Sequence, residues 1–449
     1  MSAGSDTALP PGPRGAAFGL AAWVARPAGM LERCQARYGD VFTVRLGTFG
    51  PHVFVADPDL VRAVLQAPAD VLHAGEVNAI LAPVVGTRSV LTSDGARHLR
   101  QRRLLLPAFH GDRIGVYRER MRMLAGEMVA RWPADTAFAV APEFQRLTLE
   151  VIVRLVFGVE DPARHERLLT VLPALSRAAT PVLFSPLLAR DLGPRSPGGR
   201  FAALQREVDV LVAAEIAEHR RRGDLDERTD VLSVLLTARD EDGRPMTDDE
   251  LRDELMTLLF AGHETTATAL AWAVDLVLHD PKVHARLIAA VDTGDDAYLD
   301  AVVQEVHRLR ATVPAAVRIT KQPFALGRWR LPEGISIAPA IHLLHRRADA
   351  YPEPRRFRPE RFVGTRPPAY AWLPFGGGVR RCVGAAFAAL EMQEVLRTVF
   401  RTVALRAADP RPERVLRRTV TAVPRHGTRV VVTGTRRPSP GLVTGAAPL

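Results

Sequence analysis

Cysteine is scarce in this chain. Cys34 and Cys382 are the only two, so no disulfide framework can hold the fold, and both thiols are expected to be reduced in a cytoplasmic protein. Lysine is equally scarce. Lys282 and Lys321 stand among 60 basic residues, which leaves 58 arginines. That skew reads as codon bias in a GC-rich genome, not as a binding signal. From Arg401 to Leu449 ten arginines face only Asp409 and Glu413, a local balance of 10 − 2 = +8 out of the formal +10. Yet this stretch has no aromatic residue. A nucleic-acid surface calls for a basic stripe with interleaved aromatics, so nucleic-acid binding is not expected. No run of about 18 consecutive apolar residues occurs, so no membrane span is expected. The opening ten residues lack a basic start and an apolar core, so no secretory signal is expected either.

What is present is a chain of 449 residues, 47% apolar and 24% charged, the balance of a soluble globular protein. Residues 1–15 read as a Pro-rich leader, 16–435 as one large domain, and 436–449 as a flexible tail. Two strand-like runs, 41–46 and 52–56, suggest a hairpin across Gly47–Pro51. From about Pro58 to Ala311 apolar residues recur at helical spacing, as in Phe144, Leu147, Val151 and Leu155. Ser185–Arg200 reads as an exposed loop. Strands return at Phe324–Ile337 and Thr419–Thr433. The fold class is mainly α with a smaller β portion, with no internal repeat.

One helix carries an anomaly. Thr247-Asp-Asp-Glu250 is a capping box, and no proline follows until Pro281. A helix of about 30 residues is implied, with an apolar middle, Leu255–Ala261, that suits the centre of a large domain. Into that middle the chain puts Gly262-His263-Glu264-Thr265-Thr266. Buried polar groups are costly unless partnered, so a functional site is expected there. A zinc HExxH site is excluded, because the second histidine position is Ala267. The bland reading is a kink in which the Thr265 hydroxyl bonds a carbonyl one turn back.

A second motif is Phe375-Gly376-Gly377-Gly378-Val379-Arg380-Arg381-Cys382-Val383-Gly384, followed by good helix formers. Cys382 then sits before a helix N-terminus beside two arginines, which favours thiolate. A buried structural cysteine is the bland alternative. A phosphate loop lacks its Lys-Ser/Thr ending. Glu305 and Arg308 share a helix face, and Arg358-Pro359-Glu360-Arg361-Phe362 lies in a Pro-rich segment. Each of these two is weak alone.

Together and in this order the four motifs resemble the cytochrome P-450 family of haem-thiolate monooxygenases, over nearly the whole chain. The cysteine loop matches Phe-x-x-Gly-x-Arg-x-Cys-x-Gly at every position. Ala261, Gly262, Glu264, Thr265 and Thr266 match Ala/Gly-Gly-x-Asp/Glu-Thr-Thr. Glu305 and Arg308 match Glu-x-x-Arg, and Arg361 matches the arginine that joins them. The resemblance implies haem b held between the long central helix and the cysteine loop. It implies Cys382 as axial iron ligand and Phe375, Gly376 and Gly384 as its loop. His98, Arg102, Arg318 and Arg380 are implied as propionate contacts, Glu264 and Thr265 as the catalytic acid–alcohol pair, and Glu305, Arg308 and Arg361 as a structural set. A substrate pocket is implied at Ile80, Leu91, Phe260, Ala261, Val313, Val317 and Thr421. These are mostly apolar, which suits a terpenoid, steroid or fatty acyl substrate.

The implied reaction inserts one oxygen atom from O2. No flavin or nicotinamide fingerprint is present, so electrons are expected from a separate ferredoxin or flavodoxin with its reductase, and the chain is expected to be a monomer. The alternatives are a haem-thiolate peroxygenase or isomerase, which needs no electron partner, and a non-enzymatic haem-based sensor or carrier. Neither needs the acid–alcohol pair that this sequence retains.

Overall fold

A single helix organises the molecule. The computed structural model describes residues 9–436 apart from 14, 110–112, 186 and 419–420. The leader's residues 1–8 and the tail from 437 therefore lie outside the described residues. The central helix runs from Asp248 to Leu278, 31 residues, or about 47 Å. Its capping box forms in both directions. The Glu250 N–H donates to Thr247 Oγ1 at 3.2 Å, and the Thr247 N–H donates to Glu250 Oε2 at 2.9 Å. Asp248, Asp249 and Glu250 fill the first turn, where the helix dipole favours negative charge.

Residues 253–257 and 266–277 of this helix are buried, but Ala261 between them is exposed and residues 262–265 are only half-buried. A helix covered on both sides of an open middle defines a cleft. Helix Val140–Val151 lies along it and ends in a π-turn, Ile152–Val156. Gly262 permits the close approach: a Cβ there would sit 3.2 Å from Ile152 Cδ1. The helix is unbroken through Gly262. Helices Pro162–Phe184 and Pro197–Arg221 pack together, and helix Ala385–Thr402 packs on Arg113–Ala130. The main core, with Trp272, Phe144, Phe157 and Phe400, fills the space between these helices.

The expected hairpin pairs Val41 with Val55 through Arg45 with Pro51. It belongs to a five-stranded sheet in the order Val41–Arg45, Pro51–Val55, Ser336–Pro339, Arg318–Thr320, Leu72–His73. Both faces of the hairpin are covered. Val41, Val53 and Val55 enter one core, and Phe42, Val44 and Phe54 another, so no apolar–polar alternation is visible there.

Three segment readings need correction. Pro197 starts a helix, with the Ser196 hydroxyl accepting from the Gly199 N–H at 3.0 Å, so the Ser185–Arg200 loop ends early. The run Phe324–Ile337 divides into Phe324–Leu326, Trp329–Leu331 and the start of Ser336–Pro339, in two sheets. The run Thr419–Thr433 divides into Thr421–Pro424, paired with Val415–Arg418, and part of Arg429–Thr435 in another sheet; residues 419 and 420 lie outside the described residues. Leu72–His73 and Ala137–Ala139 are strands inside a stretch read as helical; two or three residues carry no detectable period. Among the described residues no helix is long and apolar enough to cross a membrane.

His219, on Pro197–Arg221, has no exposed surface and lies 3.1 Å from Glu215 and 3.4 Å from Asp230. Burial alone would lower its pKa, but the contacts with Asp230 and Glu215 outweigh it and lift it to about 9. A histidine raised from an ordinary 6.5 contributes stability that is complete below about pH 6.5 and lost as pH rises through 9. The stability of the wild type should therefore fall between pH 7 and 10, by on the order of 3 kcal/mol from this group. His219→Gln should flatten that fall in urea melts taken across the range. An equally steep decline in the variant would place the pH dependence elsewhere.

Candidate functional site

The loop Phe375–Gly384 is fixed by its backbone. The Cys382 N–H donates to the Phe375 carbonyl at 2.9 Å, closing the loop on itself. Gly378 has φ 63°, and a Cβ there would lie 1.9 Å from the Leu65 carbonyl oxygen, so no side chain fits. Gly384 caps helix Ala385–Thr402. The Phe375 ring stands edge-on to His307 at 4.9 Å. Cys382 is exposed to the cleft, but its sulfur is set deep. Burial raises the thiol pKa, against the lowering effects of the Gly384 N–H, Arg102 and Arg381. The expected lowering by the helix start and the arginines is present, and burial outweighs it. Of the two neighbouring arginines, only Arg381 acts on the sulfur.

Behind the loop, Arg308 and Glu305 are wholly buried on helix Asp296–Leu309. Arg308 Nε and Nη2 donate to the two Glu305 oxygens at 2.6 and 2.8 Å. Its remaining donors reach the carbonyls of His345, Pro354 and Arg356. Arg361 Nε joins Glu305 at 3.2 Å, and the Arg358 N–H at 2.9 Å. The sequence reading missed His345. Its Nε2 accepts from the Leu373 N–H at 2.7 Å, so its Nδ1 donates to the Arg308 carbonyl at 3.1 Å. Burial holds this imidazole far below its ordinary pKa, consistent with that neutral tautomer. The network thus reaches the chain two residues before Phe375.

At the edge of the cleft the fold gathers His98 and Arg102 from helix Gly95–Leu105, Arg318 from its strand, and Arg380 from the loop. Arg102 Nη1 donates to the Arg381 carbonyl at 2.5 Å, and Arg318 Nη1 to its neighbour's carbonyl, Val317, at 2.9 Å. Arg380 donates to the Val90 and Ser93 carbonyls and pairs with Asp94. Asp94 was not singled out. It precedes a helix without capping it, and instead accepts the N–H groups of Ala74, Gly75 and Glu76 at 2.9 Å. Burial, then Arg380, lowers Arg318 to about 10. Burial, then Arg380 and Arg102, lowers His98 to about 4, and its buried Nδ1 has no partner.

Across the cleft, the Thr265 hydroxyl donates to the Ala261 carbonyl one turn back at 2.6 Å. This is the bond the bland reading required, and it leaves the oxygen's lone pairs free to accept. Glu264 pairs with Arg418 at 3.2 Å, a partner the sequence did not reveal. Ala261 and Val313 are exposed, and Ile80, Leu91, Phe260 and Val317 half-buried. Thr421 is buried, and its hydroxyl is used on the Arg418 carbonyl at 2.8 Å, so it offers the cleft little surface. The segment Asn78–Leu91 is tied to the central helix, with the Arg88 and Val90 N–H groups donating to Asp253 and Glu254. A small cavity with about 10 Å³ of free space adjoins Phe260, lined also by Val84, Leu172, Leu175, Ser176 and His263. Burial lowers His263 to about 4. The contribution of helix Pro162–Phe184 to this wall was not anticipated.

A fold with a cysteine-bearing glycine loop and a long central helix open at its middle has close relatives. The family model described as Cytochrome P450 matches residues 10–428. A putative cytochrome P450 135B1 of Mycobacterium tuberculosis (strain ATCC 25618 / H37Rv) is 42% identical, with 97% of this chain and 94% of that protein covered. A putative cytochrome P450 137 of the same strain is 40% identical, over 94% of this chain and 90% of that protein. Among solved structures, the retinoic acid-bound cyanobacterial CYP120A1 superposes with a TM-score of 0.81 at 24% identity, covering 95% of this chain and all of that one. The cytochrome P450DA heme domain gives 0.84 at 25% identity, covering 96% and 98%. The chain belongs to the cytochrome P450 family, whose members bind haem iron and are generally monooxygenases.

Removing one member of a wholly buried ion pair leaves the other uncompensated. Glu305→Ala should cost about 3–5 kcal/mol and reduce soluble yield, while leaving any protein that does fold with an altered loop. Chemical denaturation of the variant would settle this; a midpoint equal to wild type would remove the pair from the account of the fold.

Proposed function

We propose that this chain is a haem-thiolate monooxygenase that inserts one oxygen atom from O2 into an apolar small molecule of terpenoid, steroid or fatty acyl type. The observation that supports it best is uncompensated positive charge. Among the described residues, the three guanidinium groups of Arg102, Arg318 and Arg380 gather with only Asp94 to balance them, and His98 Nδ1 has no partner there. Haem b fits this set. Its two propionates would supply the missing anions and accept from His98, and its flat ring suits a cleft bounded by glycines and by Ala261. When bound, haem would supply the activation of O2 and the insertion chemistry.

The roles of the chain's own groups follow. Cys382 would hold the haem iron through its sulfur, as thiolate. The Gly384 N–H would stabilise the sulfur's negative charge. Thr265, its own proton committed to Ala261, would accept from a water and hold that water's proton at the cleft. Glu264 would carry protons inward from solvent as a general acid. Ile80, Leu91, Phe260, Ala261, Val313 and Val317 would exclude water around the substrate. Electrons would come from a separate ferredoxin or flavodoxin with its reductase, docking where Arg381 is exposed beside Cys382. A cytoplasmic location accords with two free thiols.

Thr265→Ala should keep haem content and substrate affinity near wild type. In a reconstituted system it should yield hydrogen peroxide in place of product, with the ratio of product to nicotinamide oxidised down on the order of tenfold or more. A wild-type ratio would show that protons reach the site by another route. Absence of any substrate-dependent nicotinamide consumption in the wild type would sink the monooxygenase reading itself.

A further inference from the structure

We infer that Asp94 is a positioning residue that holds the Arg380 guanidinium at the cleft edge and cancels one of the three arginine charges gathered there, so that the site takes a ligand with two carboxylates; this rests on haem as the ligand of the cleft. Asp94 stands at the N-cap position of helix Gly95–Leu105, where an aspartate ordinarily accepts from its own helix. Its side chain makes no such bond. Oδ1 accepts instead from the Ala74 and Gly75 N–H groups, and Oδ2 from the Glu76 N–H, each at 2.9 Å. Gly75 allows the approach, because a Cβ there would lie 2.7 Å from Asp94 Oδ2 and 2.5 Å from the Ser93 carbonyl oxygen. A carboxylate that gives up its own helix for three amides elsewhere is fixed in place, and it fixes the cation bonded to it.

Arg380 is gripped by the same stretch of chain. Nη1 donates to the Val90 carbonyl at 3.0 Å, and Nη2 to the Ser93 carbonyl and to Asp94 Oδ1. The guanidinium is 12% exposed and the carboxylate 14%, so the pair is screened little by water. Asp94 also acts on Arg318 and His98, and both of these feel Arg380. With Arg102, which acts on His98 too, the groups form one electrostatic cluster. His98, lowered to about 4, is neutral at pH 7. Three arginine charges less that of Asp94 leave two. Glu76 at the rim is paired with Lys321 at 3.1 Å, so these two cancel each other. Two propionates close the balance. With Asp94 neutral one cation would be left over, and without Arg380 one anion would.

The reduction potential of the haem-loaded protein tests this, read at about pH 8, where an ordinary histidine is neutral. A surplus cation favours reduced iron, which carries one positive charge less. Asp94→Asn should therefore move the potential positive and Arg380→Gln negative. The Asp94→Asn/Arg380→Gln double variant, whose charges balance again, should return to the wild-type value. Asp94→Ser, with a smaller side chain, should move the potential in the same direction as Asp94→Asn. Resonance Raman spectra of the ferric protein give a second readout, because the bending modes of the propionates follow the hydrogen bonds they accept. Those modes should shift in Asp94→Asn as they do in Arg380→Gln. A potential unchanged in both Asp94 variants, or a double variant displaced as far as either single one, overturns the inference and leaves the haem reading standing. Propionate modes that keep their wild-type positions in Asp94→Asn overturn it as well. If neither Asp94 variant takes up haem, the double variant decides: uptake regained supports the charge balance, and uptake still absent overturns it. Wild-type protein that takes up no haem overturns the haem reading itself.

Discussion

The architecture of the cleft depends on one buried cation. A guanidinium removed from water is tolerated only when every donor is met. Arg308 meets that demand with the two Glu305 oxygens and three backbone carbonyls drawn from residues 345, 354 and 356. Those carbonyls belong to irregular chain with no sheet or helix of its own to define it. The cation therefore folds the segment around itself. His345 continues the constraint, because an imidazole that donates to Arg308 at one nitrogen must accept at the other, and the acceptor is filled by Leu373. Cys382 is thus placed by a relay of obligatory polar contacts, reinforced where Gly378 meets the Leu65 carbonyl.

The opposite wall follows a different logic. The central helix is long and continuous, and packing aligns it together with the hydrogen bonds of Asp253 and Glu254 to the Arg88 and Val90 N–H groups. Its open middle is a deliberate gap in that packing, lined by small or polar residues from Ala261 to Thr265. Among the described residues, the arginines gathered around His98 have few carboxylates to balance them. Surplus cations beside a cysteine-bearing glycine loop suit a ligand that is anionic at one side and able to bind sulfur through a metal. The family to which the chain belongs uses such a ligand.

Much of this was legible in the sequence, for local reasons. The Thr247–Glu250 capping box, the Glu305–Arg308 pair and the spacing of His98 and Arg102 all involve residues three or four apart on helices, where sequence distance translates directly into space. The glycine loop was legible because glycines and a cysteine in that pattern serve few other purposes. What escaped were contacts across long sequence separations. Arg418 meets Glu264 across 154 residues and Arg380 meets Asp94 across 286; nothing near either residue announces its partner. Thr421 was expected on the pocket wall, but strand pairing turned its hydroxyl back onto Arg418. For Cys382 the neighbouring helix and arginines are visible in sequence, whereas the burial that opposes them is not.

The central claim is that this fold exists to present one cysteine sulfur to haem iron, and the reduced carbon monoxide complex tests it most directly. Purified wild-type protein, reduced and exposed to carbon monoxide, should show the red-shifted Soret band that only thiolate ligation produces. Cys34→Ser should retain the band and Cys382→Ser should lose it. A thiolate band that survives in Cys382→Ser, or one that is absent from haem-loaded wild type, would contradict the account.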